Sequence, residues 1–230
     1  MLAMHDVHEA PDQQKPTREP IFKVPFVPFV VAAGLMVLYY AQRTMPDDGL
    51  SLGLRPYDLE NGYWTGLFTY MTVHGSLVHV GMNALGIVAF GTPLARDLTR
   101  GLGSVAWLLF FIICGVLSAI GYSLVYPGDM VWLVGASGAL FGLIGASSRL
   151  LPGAGIILPL THPFVLKNAA VWLAVTALLG VFGGALGGDG ARVAWVVHIF
   201  GYVAGIVLVA PFHHFFGAKH PDLAEPGNNL

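Results

Sequence analysis

Hydrophobic residues fall along this chain in long unbroken blocks, and short clusters of charge, proline or glycine separate the blocks. A bilayer core of about 30 Å takes about 20 helical residues. Six stretches meet that need: about Val24–Gln42, Leu77–Leu94, Ser104–Tyr126, Val134–Leu150, Asn168–Leu186 and Val193–Phe212. Pro152 and Gly153 close the fourth, and the stretch Ile156–Val165, which carries two prolines and is too short to span, reads as an interfacial loop. The pattern therefore predicts an all-α membrane protein built as a bundle of six transmembrane helices. Residues 1–23 are polar, with Pro11, Pro16 and Pro20, and read as a disordered cytoplasmic tail. Residues 24–212 then form the six-span domain and residues 213–230 a cytoplasmic C-terminal tail.

Composition agrees and adds an orientation. The chain is 55% hydrophobic and 10% charged, against about 25% charged for a soluble domain. Eight of its Lys and Arg residues (Lys15, Arg18, Lys23, Arg96, Arg100, Arg149, Lys167 and Lys219) fall on the side of the termini, and three (Arg43, Arg55 and Arg192) on the other. The bias of positive charge toward the cytoplasm then puts both termini inside. A net charge of −2 offers no field for nucleic acid. The single cysteine, Cys114, excludes an intramolecular disulfide and a Cys-rich metal site. There is no HExxH, and His162, His213, His214 and His220 fall in inner loops or the tail, so neither a metal nor a cofactor is expected. The first outer loop, about 43–76, is long and carries Tyr57, Tyr63, Trp64, Phe68 and Tyr70, which suits a segment lying in the outer interface. The run Gly183–Gly190 reads equally as a flexible outer cap or a plain tight loop.

Polar side chains inside spans are costly and mark function by default. His79 and Asn83 stand four apart on one face of the second span, Ser137 lies in the first turns of the fourth, and His198 lies near the start of the sixth. All three spans run inward from the outer surface. With Gly75, Trp132 and Arg192 as outer limits, His79, Ser137 and His198 all reach about 6 to 9 Å below it. Gly135, Gly138 and Gly142 on the fourth span, and Gly201 and Gly205 on the sixth, are spaced to let helix backbones approach. A serine on one and a histidine on the other then come within hydrogen-bond reach, which is what an activated nucleophile requires.

In these residues the chain resembles the rhomboid intramembrane serine proteases. The match comprises HxxxxHxxxN (His74, His79, Asn83), GxSGxxxG (Gly135, Ser137, Gly138, Gly142) and HxxGxxxG (His198, Gly201, Gly205), in order, over about residues 60–210. The resemblance implies a rhomboid-like bundle and a serine endopeptidase that cleaves transmembrane segments. Ser137 would be the nucleophile, His198 the base, and His79 and Asn83 the oxyanion donors, with the Ser137 N–H. It implies further that Phe141 stacks on the catalytic histidine and that His74 supports the outer loop or lines the cavity. The implied partners are single-pass membrane proteins in the bilayer, and the implied address is a bacterial inner membrane. Two features depart from the family: Trp64-Thr65 stands where a Trp-Arg pair is common, and Ala95 where an acid is common four residues after Gly91. The competing readings are a catalytically silent relative that binds membrane clients and a small transporter, although no internal repeat of the kind common in transporters is visible.

Overall fold

The computed structural model describes residues 25–151, 155–186 and 195–218. The expected tail 1–23, most of the expected tail 213–230 and the second half of the glycine run therefore lie outside the described residues. The chain is mostly helical. Helix α1 (Phe26–Gln42) follows Pro25. Two short helices, α2 (Pro56–Glu60) and α3 (Gly66–Thr69), occupy the first loop between 3₁₀ turns at Pro46–Leu52 and Tyr70–Thr72. Then come α4 (Leu77–Asp97), α5 (Gly103–Val125), α6 (Ser137–Arg149), α7 (Pro163–Leu186) and α8 (Trp195–Phe216). Between α6 and α7 a two-residue hairpin pairs β1 (Leu150–Leu151) antiparallel with β2 (Ile156–Ile157).

Among the described residues three helices, α4, α5 and α8, are long and apolar enough to cross a membrane, while α1 and the Pro163–Leu178 part of α7 are shorter apolar helices. Large apolar side chains face outward along them, including Val37, Leu85, Leu124 and Val203. Such surface belongs in lipid rather than water. Helix α6 differs: ten of its thirteen residues are buried, and it packs among α4, α5 and α8 at the centre. Its contact with α8 is backbone on backbone. A Cβ added at Gly201 would strike the Gly138 carbonyl oxygen, and one at Gly205 the Gly142 carbonyl oxygen.

Several boundaries differ from the sequence pattern. Helix α7 begins at Pro163, inside the stretch expected to be loop, because a proline missing its N–H fits the first helical turn. Helix α8 continues past Phe212 to Phe216, where His213 meets Asp97 of α4 at 2.8 Å. The first half of the glycine run, to Leu186, is helical.

The first loop is pinned to the bundle. Leu54 bridges Leu133, the Tyr57 N–H reaches the Asp129 carbonyl at 3.2 Å, and the Arg55 guanidinium lies 4.3 Å over the Trp132 ring while Asp58 accepts two hydrogen bonds from it. Of its five aromatics, Tyr57, Tyr63, Trp64 and Phe68 are exposed, but Tyr70 is fully buried and donates its O–H to the Gly115 carbonyl of α5 at 2.8 Å.

Candidate active site

The segment before α6 approaches α4 closely. Gly135 has φ +110°, a conformation other residues rarely adopt, and a Cβ there would lie 2.7 Å from the His79 ring and 3.7 Å from Asn83 Nδ2. Two of its neighbours in the first loop fix its course. The Gly135 N–H donates to the Tyr70 carbonyl at 2.8 Å, and the Ala136 N–H donates to His74 Nε2 at 3.3 Å. Ser137 follows as the first residue of α6, where a backbone N–H has no partner within the helix and the helix dipole presents its positive end.

Ser137 Oγ and His198 Nε2 are 3.0 Å apart. His198 is buried, and its ring stacks on Phe141, with centroids 4.2 Å apart and planes inclined by 10°. Phe141 comes one turn after Ser137 on the same helix, so serine and stacking ring share a rigid support. His198 Nδ1 is buried without a hydrogen-bond partner among the described residues. If Nε2 accepts the serine proton, Nδ1 carries the other proton, and the ring is oriented by the stack rather than by a carboxylate.

Across the serine, α4 presents its polar face. Ser76 caps this helix by accepting from the His79 N–H at 3.1 Å, which sets the first turn and hence the His79 and Asn83 positions. Asn83 is buried, and its Nδ2 has no partner among the described residues. A buried amide donor left unmade costs about 1–3 kcal/mol, and here it lies beside Gly135, two residues from the serine. His74, in the segment ahead of α4, is 1% exposed and meets the His79 ring edge-on at 5.1 Å. Burial, and secondarily His79, pushes its pKa down to about 3, so it is neutral at pH 7 and able to accept the Ala136 N–H.

Gly138 sits where a Cβ would collide with Ser118 Oγ, so with Gly201 and Gly205 it lies on packed helix surfaces rather than at the Ser137–His198 contact. His213 bonds Asp97 at the opposite ends of α4 and α8, and among the described residues no group of His, Cys, Asp and Glu is arranged to hold a metal. The structure also brings in residues that the sequence reading did not single out. Gln42 of α1 binds both backbone polar groups of His74, and Trp172 of α7 meets both Phe141 and Phe90 edge-on, at 5.8 and 5.3 Å. Gln42 had a signal, as a polar residue closing an apolar run. Trp172 had none, being one apolar aromatic among many.

Comparison with known proteins places the chain in a family. A profile of the Rhomboid domain matches residues 61–215, from just before α3 almost to the end of α8. The chain is also 29% identical over 148 residues to a Bacillus subtilis (strain 168) protein named "Putative rhomboid protease YdcA", a match covering 64% of this chain and 67% of that protein. With two thirds of its length matched by the domain and its motifs gathered at the start of α6, the chain belongs to the rhomboid family of intramembrane proteases.

Proposed function

We propose that the protein is a serine endopeptidase that cleaves transmembrane segments of membrane proteins, with Ser137 as nucleophile and His198 as general base. The observation that carries this reading is the 3.0 Å contact between Ser137 Oγ and His198 Nε2 on a ring held by Phe141. Nε2 takes the hydroxyl proton as Oγ attacks the scissile carbonyl carbon. The oxyanion that forms receives hydrogen bonds from Asn83 Nδ2, the His79 imidazole and the Ser137 N–H. In serine proteases one such donor supplies about 3–4 kcal/mol to the transition state. Collapse breaks the C–N bond, and His198 returns the proton to the leaving amine. Water, deprotonated by the same nitrogen, then hydrolyses the acyl ester and frees Ser137.

In the bilayer we read α1, α4, α5, α6, α7 and α8 as six spans, with the first loop in the outer interface and both termini in the cytoplasm of a bacterial inner membrane. At thirteen residues α6 extends only about 20 Å, so the extended segment before it makes up the rest of its passage through a core of about 30 Å. Its N-terminus, with Ser137, is left below the outer surface and open to water from that side. A single-pass substrate would enter laterally between α4 and α7.

The test is cleavage of a single-span substrate in proteoliposomes. Wild type is expected to cut, Ser137→Ala and His198→Ala to be silent, and a fluorophosphonate to label Ser137 only while His198 is present. Cleavage that persists in Ser137→Ala would sink the proposal.

A further inference from the structure

The course of the nucleophile segment is set by hydrogen bonds that start on α1. Gln42, its last residue, is buried, and its side chain donates Nε2–H to the His74 carbonyl at 2.8 Å and accepts the His74 N–H on Oε1 at 2.9 Å. One side chain thus satisfies both backbone polar groups of His74, as a neighbouring strand would. The His74 imidazole in turn accepts the Ala136 N–H and packs against the His79 ring. Meanwhile the Gly135 N–H is held by the Tyr70 carbonyl. With the amides of residues 135 and 136 committed to the first loop, the next amide, that of Ser137, opens α6. Behind the turn at His74 and Gly75 lies a cleft of about 200 Å³, lined also by Gln42, Arg43, Val73 and Val134. Among the described residues nothing lies within 4 Å of where a Cβ at Gly75 would stand, so the clasp helps to hold the turn.

We propose that Gln42 is a positioning residue for the nucleophile, acting through His74 to fix the Gly135–Ser137 backbone and the His79 ring. The proposal rests on the reading of Ser137 as nucleophile. A displacement of about 1 Å in such a site lowers turnover by as much as about 100-fold.

The full-length protein in liposomes provides the test. Gln42→Met keeps the length of the side chain and deletes both hydrogen bonds; Gln42→Glu keeps the acceptor for the His74 N–H but sets a second acceptor against the His74 carbonyl. Both are expected to lower kcat roughly 10-fold to 100-fold with KM within about twofold, and to slow fluorophosphonate labelling of Ser137 by the same factor, while thermal unfolding stays above the assay temperature. Wild-type kcat and labelling in either folded variant, or a change confined to KM, would overturn the proposal. So would unfolding of both variants below the assay temperature, which assigns the clasp to stability alone. Ser137→Ala run in parallel separates the two readings: its continued cleavage defeats the nucleophile assignment, whereas a silent Ser137→Ala beside a fully active Gln42→Met defeats only the positioning role.

Discussion

Among the described residues His198 has no carboxylate partner of the kind that fixes the histidine in many serine hydrolases, since its buried Nδ1 meets none of them. Its orientation therefore rests on the Phe141 stack and on the serine itself. Phe141→Leu is expected to lower kcat about fivefold, the scale of an aromatic contact worth about 1 kcal/mol, with KM unchanged, whereas Phe141→Tyr keeps the ring and should stay near wild type. Steady-state kinetics on a single-span substrate reads both. Asn83 makes the complementary case: its Nδ2 has no acceptor among the described residues, so in the proposed mechanism its value appears in the transition state. Asn83→Ala should cost about 10² to 10³ in kcat and leave substrate affinity intact. A loss expressed in affinity instead would make Asn83 a binding residue. These positions were legible in the sequence because a bilayer leaves few reasons for His, Asn and Ser inside apolar runs. Trp172 was not, since an aromatic in an apolar helix looks the same whether it faces lipid or a neighbouring ring.

At the scale of elements, the seam between α6 and α8 decides whether serine and histidine can meet. Gly201 lies three residues beyond His198 and opposes the Gly138 carbonyl, one residue beyond Ser137. An added methyl must push the helices apart at the dyad itself. Gly201→Ala is expected to lengthen the Ser137–His198 contact and abolish labelling by a fluorophosphonate, with overpacking that costs about 1–3 kcal/mol. Gly205→Ala carries a similar clash one turn further from the dyad and should lower the unfolding temperature comparably while retaining more activity. Equal activity loss in both would show that the seam acts through stability alone. This spacing was readable from the sequence, as were the positions of α1, α4, α5, α6 and α8 to within about a turn. The interior of the first loop was not. Helices as short as α2 and α3 have little stability of their own, and here they are held by partners distant in sequence, such as Leu133, Asp129 and Gly115.

Across the whole molecule, α4 and α8 are tied together at the ends away from Ser137. Near one end their polar residues converge on Ser137; at the other, His213 bonds the buried Asp97 carboxylate through both oxygens, at 2.8 and 3.0 Å. The backbone adds to this clasp, since the Arg100 N–H donates to the Phe216 carbonyl at 3.0 Å and the Ala218 N–H to the Asp97 carbonyl at 2.8 Å. The acid often found four residues after Gly91 in the family is alanine here, and Asp97, two residues further on, is the carboxylate that ties the helices. A hydrogen bond to a charged group contributes about 1.5–3 kcal/mol, and the clasp lies far along both helices from the dyad. Its loss should therefore be felt as stability shared by the bundle rather than as a change in chemistry. Asp97→Ala, and separately His213→Ala, are expected to lower the thermal inactivation temperature by several degrees, with kcat and fluorophosphonate labelling near wild type in protein kept below that temperature. The double variant should cost little more than either single one, because each already breaks the same bond. A fall in kcat in fully folded Asp97→Ala would instead mean that the two helices transmit strain from the clasp to the dyad along their length.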